Sequence, residues 1–96
     1  MKATWTEKYM IAMNESLTVK DIMKLRDVGQ PTTLKIRQEA IEYCIRNNIQ
    51  VNSQKVPTIA VMEVTKCDLD YYYNQMLREA EVNKLLKGGE LTHVSA

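Results

Sequence analysis

Apolar residues recur along this chain at the three- and four-residue spacing of amphipathic helices, and short polar breaks separate the helical stretches. The first stretch opens with Thr4 and Glu7, whose spacing is that of a capping box at a helix N-terminus. Thr18 and Asp21 form a second capping box, which predicts a helix over residues 19–26. The pattern therefore indicates two short helices in the first third of the chain.

A turn rich in helix-breaking residues follows the second helix. Gly29 allows a positive φ there, and Pro31 suits the first turn of a new helix but cannot continue the previous one. The new helix is predicted over residues 31–47. One broad side of it is apolar and is expected to face the core: Leu34, Ile36, Ala40, Ile41, Tyr43, Cys44 and Ile45.

Beyond residue 48 the pattern becomes that of short strands. Residues 49–51 and 55–56 lie on either side of a polar turn and predict a small β-hairpin. Thr58 is then predicted to cap one or two helical turns. A hairpin directly after the second helix of a helix-turn-helix is typical of the wing of a winged helix, although a hairpin that only closes the core is an equal alternative.

The longest predicted helix covers residues 66–87 and opens with Thr65 and Asp68 in capping-box spacing. Gly88-Gly89 is predicted to end it, and residues 90–96 to form a disordered tail. Its apolar stripe is predicted to dock on the domain core, with a homo-oligomer or partner interface as the alternative: Leu69, Tyr72, Tyr73, Met76, Leu77 and Ala80.

Together these elements predict a mostly α-helical fold with a small β-hairpin, namely a winged-helix-like helix-turn-helix with a long C-terminal helix. At 96 residues the chain has room for one domain with a modest core. That domain is assigned to residues 1–89, divided into an N-terminal helix (1–16), a helix-turn-helix (17–47), a hairpin (48–57) and C-terminal helices (58–89).

Composition argues against a membrane protein, a metalloprotein and an enzyme. No apolar run approaches the roughly 18 residues of a membrane helix and the N-terminus lacks a secretory pattern, so a cytoplasmic protein without membrane contact is expected. Two cysteines in no metal spacing, and a single histidine, His93 in the predicted tail, offer neither a metal site nor a nucleophile–histidine pair. We therefore expect no catalytic residue, metal or cofactor.

The net charge of +1 is weak support for nucleic-acid binding, but the charge is unevenly distributed. Residues 1–66 hold ten Lys and Arg against seven Asp and Glu, whereas residues 67–96 hold three against five. Basic character is concentrated where the helix-turn-helix is predicted. A surplus of this size predicts weak, salt-sensitive binding by one copy, so several copies or a protein partner on the DNA are expected.

Exposed side chains at the start of the second helix of the helix-turn-helix are the candidates for sequence recognition. Threonine can bond a phosphate or touch a thymine methyl, lysine can reach guanine, and glutamine can bond adenine. The residues expected to contact bases are Thr32, Thr33, Lys35 and Gln38. Those expected at phosphates or in the minor groove are Lys20, Lys24, Arg37, Gln54 and Lys55.

Simpler interpretations of the same residues stay open. Thr32 fits the N-cap of its helix, and Lys35 fits a solvated charge. Arg37 falls on the apolar side of the helix. It either passes the core toward a phosphate or pairs with a carboxylate such as that of Asp21 or Asp27.

Residues 18–38, TVKDIMKLRDVGQPTTLKIRQ, resemble the MerR-like winged helix and its small relatives, the phage and integrative-element excisionases. In that group a T-[IV]-x-[DE]-[IL] helix start leads to gV-s-x-s-T-[LV]-[RK] and a recognition helix. The matching residues are Thr18, Val19, Asp21, Ile22, Val28, Thr33, Leu34 and Lys35. KVPTIAV, at residues 55–61, is similar to the strand-to-helix step of excisionase-type proteins.

The resemblance implies an excisionase or a small transcriptional regulator of a mobile element. Such a protein binds double-stranded DNA, bends it and assists an integrase without bond chemistry of its own. The alternative is a phage-encoded protein-interaction module that keeps a helix-turn-helix scaffold without binding DNA. The near-neutral charge and the Tyr- and Met-rich last helix favour that alternative.

Overall fold

A computed structural model of the chain describes the backbone of residues 3–95 and the side chains of residues 3–87. The described residues form, in order, α1 (Trp5–Ala12), β1 (Ser16–Leu17), α2 (Val19–Arg26), α3 (Gln30–Arg46), β2 (Val56–Pro57), α4 (Thr58–Thr65) and α5 (Leu69–Ser95). The prediction of a mostly helical chain with a small antiparallel β element and a long C-terminal helix is confirmed. α2, the turn after it and α3 form the helix-turn-helix.

Local capping signals begin the first two helices, as predicted. The Thr4 hydroxyl accepts a hydrogen bond from the Glu7 amide at 3.1 Å, and the Glu7 carboxylate accepts one from the Thr4 amide at 3.4 Å. The same reciprocal pair joins Thr18 and Asp21, at 3.1 and 3.0 Å. Each pair satisfies backbone N–H groups that a helix start leaves free, so α1 and α2 begin at defined residues.

The predicted third capping box is wrong. Lys66 ends α4 in the left-handed region at φ 59°, and the Thr65 hydroxyl donates to a carbonyl of α4 at 2.7 Å instead of capping a new helix. The Asp68 carboxylate accepts from the Tyr71 amide at 2.9 Å, so Asp68 is itself the cap of α5. The long helix therefore begins at Leu69 and not at residue 66.

α5 also runs further than predicted. Its backbone is helical to Ser95, through Gly88-Gly89, where the sequence predicts the helix end. A glycine costs a helix interior roughly 1 kcal/mol relative to alanine, a cost that a long, already nucleated helix can sustain. The predicted disordered tail over residues 90–96 is thus helical as far as Ser95, and Ala96 lies outside the described residues.

The predicted hairpin within residues 48–57 is not formed, because β2 has a different partner strand from the one expected. β2 pairs antiparallel with β1, which lies before α2, and Leu17 is opposite Val56. Both side chains are buried in the core, which is why the long-range pair forms in place of a local one. Residues 49–55 form a loop. Thr58, predicted as a cap, is the first residue of α4, and its hydroxyl donates to a carbonyl that precedes β1.

The turn of the helix-turn-helix bends at Asp27 and not at Gly29. Asp27 ends α2 in the left-handed region with φ 52°, whereas Gly29 has φ −75° and is the N-cap of α3. Aspartate tolerates the left-handed region better than most residues with a side chain. Its carboxylate also pairs with the ammonium group of Lys8 on α1, which lies buried at 4.1 Å from the centroid of the Trp5 ring. The turn is thereby tied to α1.

Small side chains bring α3 and α4 together. The buried residues of the two helices are Thr33, Ala40 and Cys44 from α3 and Thr58, Ala60 and Val61 from α4. Leu34 and Ile45, which the apolar pattern assigned to the core, are 47% and 69% exposed. They lie at the edge of an apolar arc that is wider than the buried strip, so packing covers only the middle of the arc.

α5 packs along α1, and Glu79 fixes its position. The Glu79 carboxylate accepts hydrogen bonds from the amides of Trp5 and Thr6, at 3.0 and 3.3 Å. These amides belong to the N-terminus of α1, where backbone donors are free and negative charge is favourable. Tyr72 is buried, with its ring centroid 6.3 Å from that of Trp5. The predicted docking of the α5 stripe on the domain is confirmed for Tyr72 and for the half-buried Met76, whereas the other stripe residues, Leu69, Tyr73, Leu77 and Ala80, are exposed.

The pair of Lys8 and Asp27 can be tested with Asp27→Asn. We expect the free energy of unfolding to fall by roughly 2–4 kcal/mol, because the buried ammonium group loses its counter-charge. Asparagine tolerates the left-handed backbone as aspartate does, so the loss reports the ion pair. Chemical denaturation of this variant, of Lys8→Met and of the double variant measures the coupling. The double variant should recover much of the loss, and simple additivity would contradict the pairing.

Candidate nucleic-acid interface

The first half of α3 presents a polar side to solvent. Thr32, Lys35 and Gln38 are exposed, and we name these three residues the α3 contact face. They are presented outward because Thr33 and Ala40 turn the opposite side of the helix into the core. No described element covers them. Three of the four predicted base-contacting residues thus lie where a DNA duplex can reach them.

The fourth predicted residue, Thr33, is wrongly assigned to DNA. It is fully buried, and its hydroxyl donates to the Gly29 carbonyl at 2.9 Å. The sequence does contain a signal for this burial. Thr33 precedes Ala40 by seven residues and Cys44 by eleven, which are two and three helical turns, so the three share one face.

The start of α3 has no side-chain cap. Gly29 is the N-cap and Pro31 occupies the first turn, so the interpretation of Thr32 as a cap is wrong. A helix start of this kind leaves backbone N–H groups to solvent or to a phosphate. Thr32 keeps an exposed hydroxyl beside them, which is consistent with a phosphate contact.

The sequence that forms α2 and the first half of α3 carries a small surplus of positive charge. Residues 19–38 contain five Lys and Arg and two Asp. Both carboxylates are engaged, Asp21 in its capping box and Asp27 with the buried ammonium group of α1. Lys20 and Lys24 are exposed on α2, next to α3. The surface that α2 and α3 share therefore favours an anionic ligand.

Arg37 joins α3 to the loop over residues 49–55. Its guanidinium donates to the Ser53 carbonyl at 2.8 Å. The alternative of a carboxylate partner is wrong, because the candidates Asp21 and Asp27 are bound elsewhere. A groove of about 440 Å³ opens between this loop, α3 and the start of α2. Its lining includes Lys20, Leu34, Arg37 and Gln54.

The structure separates the two residues predicted for the wing. Gln54 and Lys55 are both exposed on the loop, but only Gln54 lines the groove beside α3. Lys55 borders a different hollow, together with Glu15 and Asp21. These acidic neighbours make that hollow less attractive to a phosphate. Of the two, Gln54 is the residue that shares a groove with α3, through Leu34 and Arg37.

A polar cluster that the sequence pattern does not reveal links α2 to α5. The Arg26 guanidinium lies 3.0 Å from the Cys67 Sγ and donates to the Tyr72 hydroxyl at 3.3 Å. Burial raises the pKa of Tyr72, and the hydrogen bond and charge of Arg26 offset part of that rise. Because Arg26 is engaged in this way, its charge is directed into the domain rather than toward the α3 contact face.

Three further observations bear on the class of protein. Among the described residues, no group of three or more His, Cys, Asp or Glu side chains is placed to hold a metal ion. Within that same part of the chain, no helix has both the length and the apolar character needed to cross a bilayer. Comparisons of the chain with models of protein families, with curated proteins and with solved structures find no match.

The burial of Thr33 can be tested with Thr33→Val, which removes the hydroxyl and keeps the shape. We expect the free energy of unfolding to fall by about 1 kcal/mol, because the hydrogen bond to Gly29 is lost. Thr32→Val is the matched control and should change stability by less than about 0.5 kcal/mol. Chemical denaturation measures both variants. Equal effects at the two positions would contradict the orientation of α3.

Proposed function

We propose that this chain binds double-stranded DNA through the α3 contact face. The observation that carries the proposal is the exposed start of α3, where Lys35 and Gln38 face solvent, together with the exposed lysines of α2, the helix packed against it. The second helix of a helix-turn-helix fits the major groove. There Lys35 can reach guanine O6 and N7, and Gln38 can bond adenine. Lys20 and Lys24 are suited to phosphates on the flanking backbone.

Gln38 marks the far end of the proposed contact. Its side-chain amide donates to the Glu42 carboxylate at 3.3 Å. This bond restricts the amide to one side of the helix, which favours a defined approach to a base. The carboxylate of Glu42 repels phosphates, so the DNA-contacting part of α3 ends before the last two turns.

The proposed role is that of an accessory protein of a mobile element, either an excisionase that assists an integrase or a small transcriptional regulator. The similarity of residues 18–38 and 55–61 to excisionases and MerR-like proteins supports this role. Few lysines surround the α3 contact face, so a single copy binds phosphates weakly. Selectivity then comes from DNA bending and from neighbouring proteins, and the chain performs no bond chemistry.

Lys35→Ala tests the assignment of α3. We expect the affinity for a duplex selected by the unaltered chain to fall by roughly 1–3 kcal/mol, because a base contact is lost. Lys84→Ala removes an exposed lysine of α5 and serves as the matched control, which should leave affinity unchanged. Fluorescence anisotropy with the selected duplex measures both. Unchanged binding by Lys35→Ala would show that α3 is not the recognition helix.

One observation favours a second candidate, a protein-interaction module. The far part of α5 bears Val82, Leu85 and Leu86, which are 54%, 67% and 65% exposed. They lie C-terminal to Glu79, the α5 residue whose carboxylate binds the N-terminus of α1. The predicted oligomer stripe is only partly used within the domain, because Tyr72 is buried but Leu69, Tyr73 and Leu77 are 39%, 42% and 44% exposed. The far part of α5 is more exposed than this stripe, so an oligomer or partner contact is proposed there.

Leu85→Glu separates the two candidates. If the far part of α5 binds a second copy, sedimentation of the unaltered chain should show a mass that rises with concentration, and Leu85→Glu should remain monomeric because the charge opposes burial. Gel shift with random duplex at low and moderate salt is run in parallel. A salt-sensitive shift supports the DNA-binding protein. Association through α5 with no shift at low salt would favour the interaction module alone.

A further inference from the structure

The loop over residues 49–55 is held firmly at both ends and exposed at its tip. At one end the Ile49 amide donates to a carbonyl of α3 at 2.8 Å, and the Ile49 side chain packs against the core. At the other end Val56 is buried in β2. Residues 52–54, which we name the loop tip, are exposed. Val51, directly before the loop tip, also packs against the core, so the bonds of the tip itself decide how this short segment is oriented toward α3.

Arg37 makes the bond that ties the loop tip to α3, through the Ser53 carbonyl at 2.8 Å. Within the tip, the backbone amide of Gln54 donates to the Asn52 Oδ1 at 2.8 Å, which closes a local turn. Because the tip is a closed turn held from one side, the guanidinium sets its distance from α3. It also sets the width of the groove that Lys20 and Gln54 line.

We propose, as a deepening of the proposed function on which it rests, that Arg37 is a positioning residue for DNA recognition. It acts through the loop tip and holds Gln54 in one groove with Lys20, so that both side chains meet one duplex. Arginine suits this role because its stem lies along the apolar side of α3 while its planar, multiply donating head group reaches a carbonyl. This role differs from the phosphate contact that the sequence suggests.

A phosphate contact and a positioning residue affect different measurable properties of DNA binding. A phosphate contact contributes about 0.9 to the slope of log affinity against log salt concentration. It adds little discrimination between sequences, because phosphates carry no sequence information. A positioning residue leaves that slope unchanged and alters the ratio of affinities for a selected and a random duplex. It also alters the order of the loop tip in the free protein.

The test compares the unaltered full-length chain with Arg37→Met and Arg37→Lys, and with Lys20→Met as the matched control from the same groove. NMR order parameters of the amides of residues 52–55 are measured without DNA. Anisotropy with selected and random duplexes is measured over a range of salt concentrations. Arg37→Lys keeps the charge but has a shorter side chain with a non-planar head group. It therefore keeps the inference testable if Arg37→Met fails to fold.

We expect both Arg37 variants to lower the order of the loop tip and to reduce the ratio of affinities about tenfold, with an unchanged salt slope. Lys20→Met should lower the slope by about 0.9 and leave the loop tip ordered. An ordered loop tip in both Arg37 variants, or full discrimination with a reduced slope, would overturn the inference alone. Absence of salt-sensitive binding by the unaltered chain would instead overturn the proposed function and the DNA role of Arg37 with it.

Discussion

The rotational orientation of α3 about its own axis depends on one buried side chain and on the small residues that lie on the same face of the helix. Thr33 bonds the Gly29 carbonyl and lies above Ala40 and Cys44, against α4. Rotation of α3 by one residue, about 100°, would expose this hydroxyl and press larger side chains into a strip sized for small ones. With the helix fixed in this way, Lys35 and Gln38 are held outward.

α1 connects the helix-turn-helix to the long C-terminal helix. Its buried Lys8 pairs with Asp27 at the turn, and its N-terminus is bound by the Glu79 carboxylate of α5. Arg26, next to the turn, reaches Tyr72 near the start of α5. These polar contacts lie at the junction of three helices. Removal of one partner there leaves a polar group without its hydrogen bond, which costs stability. The helix-turn-helix and α5 therefore share one junction at α1.

Signals contained within a few residues predicted much of the fold. The capping boxes that open with Thr4 and Thr18 are correct because each needs only neighbours three residues apart. Contacts that join distant segments were not predictable in this way. β2 pairs with β1 and not with its neighbour, and the Arg37 partner is a backbone carbonyl, which has no sequence signature. For the candidate site, residue type indicated Lys35 and Gln38, and it also misassigned Thr33, although the spacing of Thr33 from Ala40 and Cys44 signalled its burial.

NMR titration of the ¹⁵N-labelled chain with duplex DNA at low salt tests most directly whether the start of α3 meets DNA. We predict that the largest amide shifts fall at residues 19–24, 30–38 and 52–54, where exposed basic and polar side chains surround one groove. Added salt should reverse them, because phosphate contacts release counterions. Shifts confined to α5, or no shifts at low salt, would contradict the placement of the nucleic-acid interface on α3.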